Sequence, residues 1–275
     1  MNKFLLTCLL LVFSVTVVFA QMAVNQTDAN GKKQGPWEEK TQFGSSKGQY
    51  VDNQKDGCWA SYSTEGKLTR IENFTQGRRN GISIEIDPRA GFLTSETYYV
   101  NDLPEGTAKK FYYGTNPASF IDYSQGKING KKKIYYENSG GKLQEESEYK
   151  DDMKNGASNF YNMNGDLVVE FHYLNNNLDG VQKTYYTGKK LMSEQEFAGN
   201  VENGSWREYY ENGKVKSEGT YAKGVQTGTW KEYTEDGKLK LQGNYLNGEK
   251  EGKWQEFDAT GKVLKTTTYS KGQQK

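Results

Sequence analysis

Glycine and aromatic residues recur along the chain at a nearly constant spacing, with polar residues between them. Gly-x-Trp triplets begin at Gly204, Gly228 and Gly252, which are 24 residues apart. The same step leads back to Gly35 and divides residues 31–275 into about ten units. A period of this length is typical of repeat proteins, in which each unit packs on its neighbours.

Three aromatic columns share the phase of this repeat. Tryptophan follows the leading glycine by two residues, and other rings follow it by five and by seventeen. We assign these positions to the packing between repeats. The clearest members are Trp37, Trp59, Trp206, Trp230 and Trp254, then Tyr209 and Tyr233, then Tyr221 and Tyr245.

Each unit predicts a β-hairpin. Residues 205–210 are rich in aromatics and suit a strand. Asn212-Gly213 follows, a strong hairpin signal between two strand-like segments. Residues 215–221 alternate, and Gly219 leaves room on their face for a neighbouring ring. The predicted fold class is all-β: an extended open antiparallel sheet of about ten stacked hairpins.

The first 20 residues predict a secretory signal peptide. Lys3 precedes an apolar segment from Phe4 to Phe19, and Ala20 ends a plausible cleavage site. The alternative is an uncleaved N-terminal anchor, because the apolar segment approaches the length of a membrane-spanning helix. The predicted organisation is a signal peptide at 1–20, a short linker at 21–30 and the repeat domain at 31–275. We therefore expect a secreted, periplasmic or cell-envelope location, without membrane insertion after cleavage.

The net charge narrows the classes of possible binding partner, and the cysteine count excludes an internal disulfide in the mature chain. Removal of the leader takes away Lys3, so 36 basic residues become 35 against 35 acidic ones, and the net charge is zero. This balance argues against binding to nucleic acid or to an anionic membrane surface. The mature chain keeps one cysteine, Cys58, so it cannot form an intramolecular disulfide; the role of Cys58 stays open.

Residues that could perform chemistry are few. His172 is the only histidine, which excludes a multi-histidine metal centre, and it has no recognisable nucleophile as a partner. The Asp151-Asp152 pair falls in a predicted connection. The glycine-rich segments fit hairpin geometry, and none precedes a helix as a phosphate-binding loop would. We expect no cofactor, no metal site and no enzymatic activity; a hydrolase with scattered acidic residues is the weakest candidate.

A second tyrosine column is a candidate binding surface. These tyrosines directly follow the ring at position five, so they share a face with the tryptophans. An aromatic row of this kind could stack on sugar rings or hold apolar side chains of a partner. Alternatively, the rings cover the backbone of the neighbouring hairpin. The residues are Tyr112, Tyr136, Tyr186 and Tyr210.

The stretch from Gly81 to Pro117 departs from the repeat pattern. Pro88, Pro104 and Pro117 interrupt it, and residues 82–86 form an unusually aliphatic segment. Irregular repeats often carry binding loops. Decay of an unconstrained repeat explains the same irregularity.

One motif resembles a known family. The string Tyr-x-Asn-Gly-x-x-x-Gly-x-Trp-x-x-Tyr, from Tyr245 to Phe257 with Phe in its last position, is similar to the bacterial MORN-repeat variant. So are the Gly-Lys-Val and Gly-Lys-Leu triplets that begin at Gly213, Gly237 and Gly261. The resemblance covers nearly all of the mature chain and is weaker between residues 81 and 129. It implies stacked hairpins and a non-enzymatic role in binding or scaffolding. Such proteins are often catalogued as antitoxin components of toxin–antitoxin systems.

The expected function is therefore that of an exported repeat scaffold that binds another protein. The partner would be a toxin or an envelope protein, in an antitoxin-like or immunity-like relationship. The alternative is a cell-envelope module that binds glycans through its aromatic rows. The sequence leaves the identity of the partner and the oligomeric state open.

Overall fold

The computed structural model describes residues 23–275, so the predicted signal peptide lies outside the described residues. Residues 23–275 contain 24 β-strands and one short 3-10 helix (Tyr113–Thr115), and no α-helix. The strands pair antiparallel in an open sheet, which confirms the predicted all-β fold class. No helix within these residues is long and apolar enough to cross a membrane.

The chain divides into two compact units, which we call the N-terminal unit (to Gly141) and the C-terminal unit (Lys142–Lys275). Within each unit, the strands longer than two residues pair antiparallel in the order of the sequence. The strands of the N-terminal unit are β1 (Gln26–Thr27), β2 (Lys33–Thr41), β3 (Gly44–Val51), β4 (Gln54–Tyr62), β5 (Leu68–Thr75), β6 (Arg78–Arg79), β7 (Gly81–Ile86), β8 (Leu93–Val100), β9 (Leu103–Phe111), β10 (Pro117–Ser124) and β11 (Lys127–Tyr135).

The C-terminal unit continues the same plan of hairpins. Its strands are β12 (Leu143–Lys150), β13 (Met153–Tyr161), β14 (Leu167–Leu174), β15 (Asn177–Leu178), β16 (Gly180–Tyr185), β17 (Leu191–Ala198), β18 (Val201–Tyr209), β19 (Val215–Ala222), β20 (Val225–Tyr233), β21 (Leu239–Leu246), β22 (Glu249–Phe257), β23 (Val263–Ser270) and β24 (Gln273–Gln274).

Two kinds of turn alternate along the repeat. In the predicted Asn-Gly hairpin, Gly213 N–H donates to Tyr210 O at 2.8 Å and Tyr210 N–H donates to Lys214 O at 2.9 Å. Gly213 has a φ of 83°, whereas Asn212 keeps a negative φ. This is a three-residue loop in which a type I turn is followed by a glycine in the left-handed region. Backbone geometry therefore requires a glycine at the position of Gly213, nine residues after the leading glycine of the unit.

The connection between repeats is a tighter, two-residue turn. Lys223 and Gly224 have φ values of 51° and 82°, and Asn247 and Gly248 have 51° and 83°. Positive φ at both central residues is the type I′ turn, whose twist matches that of a strand pair. Gly224 N–H also donates to Glu202 O at 2.9 Å, so the turn is tied to the preceding repeat.

In most units the leading glycine lies inside a strand and not at its start; the exceptions are Gly81 and Gly180, the first residues of β7 and β16. Gly228 is the fourth residue of β20 and has a φ of 66°. The register between β19 and β20 shifts there: Glu218 pairs with Lys231, but Thr220 pairs with Thr227. Three residues of β20, 228–230, thus stand opposite Gly219. This β-bulge needs a left-handed residue, which glycine supplies without a side-chain clash.

The bulge lets each tryptophan fold over the neighbouring strand. A Cβ atom built on Gly219 would overlap the Trp230 ring, and Gly243 stands in the same relation to Trp254. In the N-terminal unit, Gly48 lies beneath Trp59 in this way. These contacts confirm that Gly219 leaves room for a neighbouring ring. The core of the repeat is therefore indole packed on bare backbone.

The two faces of the C-terminal sheet differ in chemistry. We call the face that carries Trp206, Trp230 and Trp254 the indole face. Adjacent residues point to opposite faces, so Arg207 lies on the other side, which we call the charged face. There the Arg207 guanidinium lies 3.4 Å from carboxylate oxygens of both Glu194 and Glu218. Cross-strand pairs of opposite charge thus follow one another across β17, β18 and β19.

In the N-terminal unit, aliphatic residues occupy part of the face that carries charged pairs in the C-terminal unit. Ala60, Ile71 and Ile84 are consecutive cross-strand partners, and Ile71 is only 1% exposed. The irregular stretch from Gly81 to Pro117 retains the hairpin plan in β7 to β10: Pro104 and Pro117 lie within β9 and β10, and Pro88 lies in one of the loops between these strands. Two of those loops meet where the Phe92 and Tyr113 rings lie 5.1 Å apart.

Residues 21–30, expected to be a linker, include the two-residue strand β1. It pairs with β2, and the Asn25 side-chain oxygen accepts a hydrogen bond of 2.7 Å from Glu38 N–H. Backbone pairing and this side-chain hydrogen bond together dock the segment on β2, and such contacts are not visible in composition.

Candidate functional site

The indole face of the C-terminal unit is a continuous aromatic layer. Trp206 and Trp230 are stacked, with centroids 5.2 Å apart and an interplanar angle of 27°. Tyr221 and Tyr245 each meet Trp230 edge-on, and Tyr245 also meets Trp254 at 5.1 Å. Trp230 and Trp254 are at least nine-tenths buried. Most of the indole surface is therefore used in packing between repeats.

Trp37 and Trp59 of the N-terminal unit make related contacts. Tyr50 stands edge-on between them, with centroid distances of 5.5 and 5.2 Å. The Lys33 ammonium lies 4.8 Å from the Trp37 centroid, and the Lys55 ammonium lies 4.0 Å from the Trp59 centroid. The outer surface of these rings is thus occupied by cations of the same chain, a favourable cation–π arrangement.

A small cavity opens on the indole face beside Trp230. Its volume is about 150 Å³, and its lining includes Trp206, Trp230, Trp254, Tyr245, Glu232 and Gln226. Glu232 is exposed and forms no ion pair within residues 23–275. Lys231 also contributes to the lining, so the site combines aromatic rings with one carboxylate and one lysine.

The candidate tyrosines take part in packing between repeats. Tyr186 donates its hydroxyl hydrogen to Tyr209 O at 2.9 Å, and Tyr210 donates to Tyr233 O at 2.8 Å. Tyr112 makes the corresponding contact in the N-terminal unit, over a longer 3.4 Å. Each of these rings is half-buried. These contacts are the ones that the packing interpretation predicts.

Tyr136 is the fourth candidate tyrosine and follows β11 directly. Its ring is half-buried, and its backbone carbonyl accepts a 2.6 Å hydrogen bond from the Ser139 hydroxyl. The four tyrosines occupy equivalent positions in separate repeats, and a binding role for them stays a prediction.

The tyrosines at position five lie on the charged face, as expected. Tyr209 donates to Glu194 Oε1 and Tyr233 donates to Glu218 Oε1, both at 2.7 Å. Burial, followed by the hydrogen bond to Glu218, raises the pKa of Tyr233 to about 12. Each phenol thus links one repeat to a carboxylate of the preceding repeat.

Alkaline pH should weaken the contact between Tyr233 and Glu218. Because the pKa of Tyr233 is raised on folding, its stabilising contribution is complete below pH 10 and is lost as the pH rises through about 12. The free energy of unfolding of the wild type should therefore fall further between these pH values than that of Tyr233→Phe. Urea titrations of both proteins at pH 9 and pH 11.5 measure this difference, and parallel losses would contradict it.

The charged face also carries an exposed row of aliphatic side chains that the sequence did not predict. Val201 and Val225 directly follow type I′ turns, and Leu174 and Leu246 directly precede them. Because Gln226 and Tyr245 point to the indole face, Val225 and Leu246 point to the charged face. Together with Met153, these residues are between 37% and 56% exposed. We call Met153, Leu174, Val201, Val225 and Leu246 the aliphatic row.

The sequence contained a signal for this row. Large aliphatic residues recur beside two-residue turns at the repeat period, but alternation alone does not say which face is covered. The charged face stays open because the tryptophans fold over the backbone on the indole face, and this is visible only in the structure.

Potential metal ligands do not cluster in the part of the chain that the structure describes: no group of three or more His, Cys, Asp or Glu side chains could hold an ion there. His172 lies on β14, where its Nδ1 is 2.8 Å from Asp179 O.

Comparison with known proteins supports the repeat assignment in the C-terminal unit. The model of the MORN repeat variant matches residues 178–198, 202–223, 226–247 and 250–271. Three of the four matches begin one residue after the first residue of a strand that follows a type I′ turn, namely β18, β20 and β22. The match thus covers four consecutive repeats.

Other comparisons add little. No curated protein matches the chain. One solved structure, described as "Crystal Structure of TcdB2-TccC3-Cdc42", is similar over 82% of this chain at 12% identity, with a TM-score of 0.14. The similarity spans only 16% of the length of that chain. These values carry no argument about fold or function.

Proposed function

We propose that the protein is an exported, non-enzymatic repeat scaffold that binds another protein through the aliphatic row. The observation that supports this most is the exposure of five large aliphatic side chains that flank the type I′ turns of the C-terminal unit. Contiguous apolar patches on soluble proteins commonly mark interaction sites. The neighbouring charged residues, among them Glu194, Arg207 and Glu218, would form a polar rim.

The arrangement suits a partner that presents an elongated apolar surface. Val201 and Val225 lie on β18 and β20, with β19 between them, so the row follows the direction of strand stacking. Repeat sheets of this kind supply an extended binding surface from short repeated units. A toxin or an envelope protein would fit the antitoxin-like role that the resemblance implies.

The test is whether the double substitution Val201→Ser/Val225→Ser abolishes binding to a defined partner. Chemical crosslinking in envelope extract, followed by mass spectrometry, should identify a protein that is captured by the wild type and lost with the double variant. Thermal unfolding should change little, because surface substitutions usually alter stability by about 0.5 kcal/mol or less each. Leu264→Ser is the matched control, since Leu264 is exposed but lies outside the aliphatic row.

Equal capture by the double variant and the wild type would contradict the proposal. Loss of capture with Leu264→Ser as well would also contradict it, because general surface hydrophobicity would then explain the binding.

The glycan-binding alternative would use the indole face. It receives less support, because Tyr186 and Tyr210 direct their hydroxyls to backbone carbonyls, and Trp230 and Trp254 are largely buried. A glycan array probed with the same wild-type protein separates the alternatives: saturable binding abolished by Tyr186→Ser/Tyr210→Ser would favour the glycan module.

A further inference from the structure

The row of candidate tyrosines is interrupted in the N-terminal unit. In the C-terminal unit, Tyr186 and Tyr210 each reach the next hairpin and donate a hydrogen bond to a backbone carbonyl there. Their position is the sixth after the leading glycine. In the first three repeats this position holds smaller residues, namely Thr41, Ser63 and Asp87. Side chains of this size cannot cover the next hairpin as a tyrosine ring does.

A cavity of about 530 Å³ lies where these rings are missing. Ser61 lines it and follows Trp59 by two residues in β4, so the cavity opens on the face that carries Trp59. Tyr62 and Ile86 also line it, and they occupy the position whose carbonyl accepts the tyrosine hydroxyl in later repeats. The cavity therefore takes the place of the side chains that the later repeats supply themselves.

The lining is rich in hydroxyl groups. Each serine or threonine hydroxyl has one donor and two acceptor positions, so the lining offers both kinds of partner to a hydroxylated ligand. Phe43 also lines the cavity and is 79% exposed, which leaves its ring available for stacking. The hydroxyl-bearing residues are Thr41, Ser45, Ser46, Ser61, Thr69 and Thr94.

The charged groups of the lining do not favour an anionic ligand. The Arg70 guanidinium donates to Glu85 Oε1 at 2.6 Å, and Glu85 Oε2 accepts a hydrogen bond of 3.0 Å from the Ser95 hydroxyl. Asp87 Oδ1 accepts hydrogen bonds from two backbone N–H groups of its own loop. With one basic and two acidic side chains, the lining carries one net negative charge. A phosphate or carboxylate would be repelled, whereas a neutral ligand would not.

We propose that this cavity binds a neutral saccharide of one or two pyranose rings. A cavity of about 150 Å³ holds a benzene molecule, so a volume of about 530 Å³ has room for two six-membered rings. Phe43 stacks on the apolar face of one sugar ring, and the serine and threonine hydroxyls bond the sugar hydroxyls. The site uses neither Tyr186 nor Tyr210, and it does not depend on protein binding through the aliphatic row.

The experiment is a glycan array probed with the full chain, followed by isothermal titration with the neutral oligosaccharide that binds best. Phe43→Ser should weaken this binding about tenfold, because the stacking ring is lost. Phe43→Tyr keeps a ring and should bind like the wild type. Neither substitution should alter thermal unfolding much, since Phe43 is exposed. Equal affinity of Phe43→Ser and the wild type would overturn the proposal.

A second variant fills the cavity with the chain's own chemistry. Ser63→Tyr restores the missing ring and should weaken saccharide binding at least about tenfold. Ser63 N–H donates to Lys67 O as Tyr210 N–H donates to Lys214 O, so the same turn accepts a tyrosine. Thr234→Tyr is the matched control, because it adds the same ring at the equivalent position of the C-terminal unit; binding should not change. A Ser63→Tyr protein with wild-type affinity would overturn the proposal.

The remaining outcomes also decide the question. Loss of saccharide binding with Tyr186→Ser/Tyr210→Ser would overturn this site and favour the C-terminal indole face. Binding to sulfated glycans alone, weakened by added salt, would overturn it because the attraction would then come from charge. An array without any bound glycan contradicts the saccharide site, whereas partner capture by Val201→Ser/Val225→Ser tests the aliphatic row separately.

Discussion

Replacement of Trp230 by alanine should lower the free energy of unfolding by about 3–5 kcal/mol, the usual range for a large buried ring. Trp230 is 9% exposed and contacts Trp206, Tyr221 and Tyr245, which lie on three different strands. Its removal would open a cavity that these rings cannot fill without losing their own contacts. Urea unfolding followed by circular dichroism measures the loss.

The Trp230→Ala effect should be local along the chain. In repeat proteins each unit contacts only its neighbours, so stability is a sum of local terms. Hydrogen exchange should accelerate most in residues 201–246 and remain close to that of the wild type in residues 33–75. Trp206→Ala is the comparison, because Trp206 is more exposed and its loss should cost less. A loss below about 1 kcal/mol for Trp230→Ala would contradict the role of the indole as core.

Gly219→Val should be strongly destabilising because it adds atoms where there is no space. A Cβ at this position would overlap the Trp230 ring, which lies directly over the glycine. Overpacking of a core costs about 1–3 kcal/mol and occasionally more, and we expect the upper end because the displaced indole would lose its stacking on Trp206. The φ of Gly219 lies outside the left-handed region, so the penalty is steric and not conformational.

A double-mutant cycle isolates this steric cost. In the Trp230→Ala background, Gly219→Val should cost much less, because the ring that it would displace is absent. Thr220→Val is the control, since Thr220 is the next residue of β19 and is exposed on the other face; its effect should stay within about 0.5 kcal/mol. Equal costs of Gly219→Val in both backgrounds would show that Trp230 is not the clashing group. Calorimetric melting of the four proteins provides the comparison.

The candidate sites were only partly predictable. The phase of the repeat correctly separated the rings of Tyr209 and Tyr210 onto opposite faces, because alternation along a strand is a local property. The hydrogen bond from the Tyr210 hydroxyl to Tyr233 O was not predictable from this phase, because the contact depends on the distance between neighbouring hairpins. Exposure of the aliphatic row and the cavity beside Trp230 likewise depend on how strands of different repeats approach one another.

Local chemistry in the sequence determined the repeat length, the hairpin plan and the need for a small residue at Gly219, since all three follow from the spacing of glycine and aromatic residues. The tertiary structure alone decided that Gly228 forms a bulge within β20, that the indoles fold down onto bare backbone, and that the other face keeps its aliphatic row open. The physical reason is that these features arise between residues about ten or more positions apart, whose contact is settled by strand register and not by the residues' own preferences.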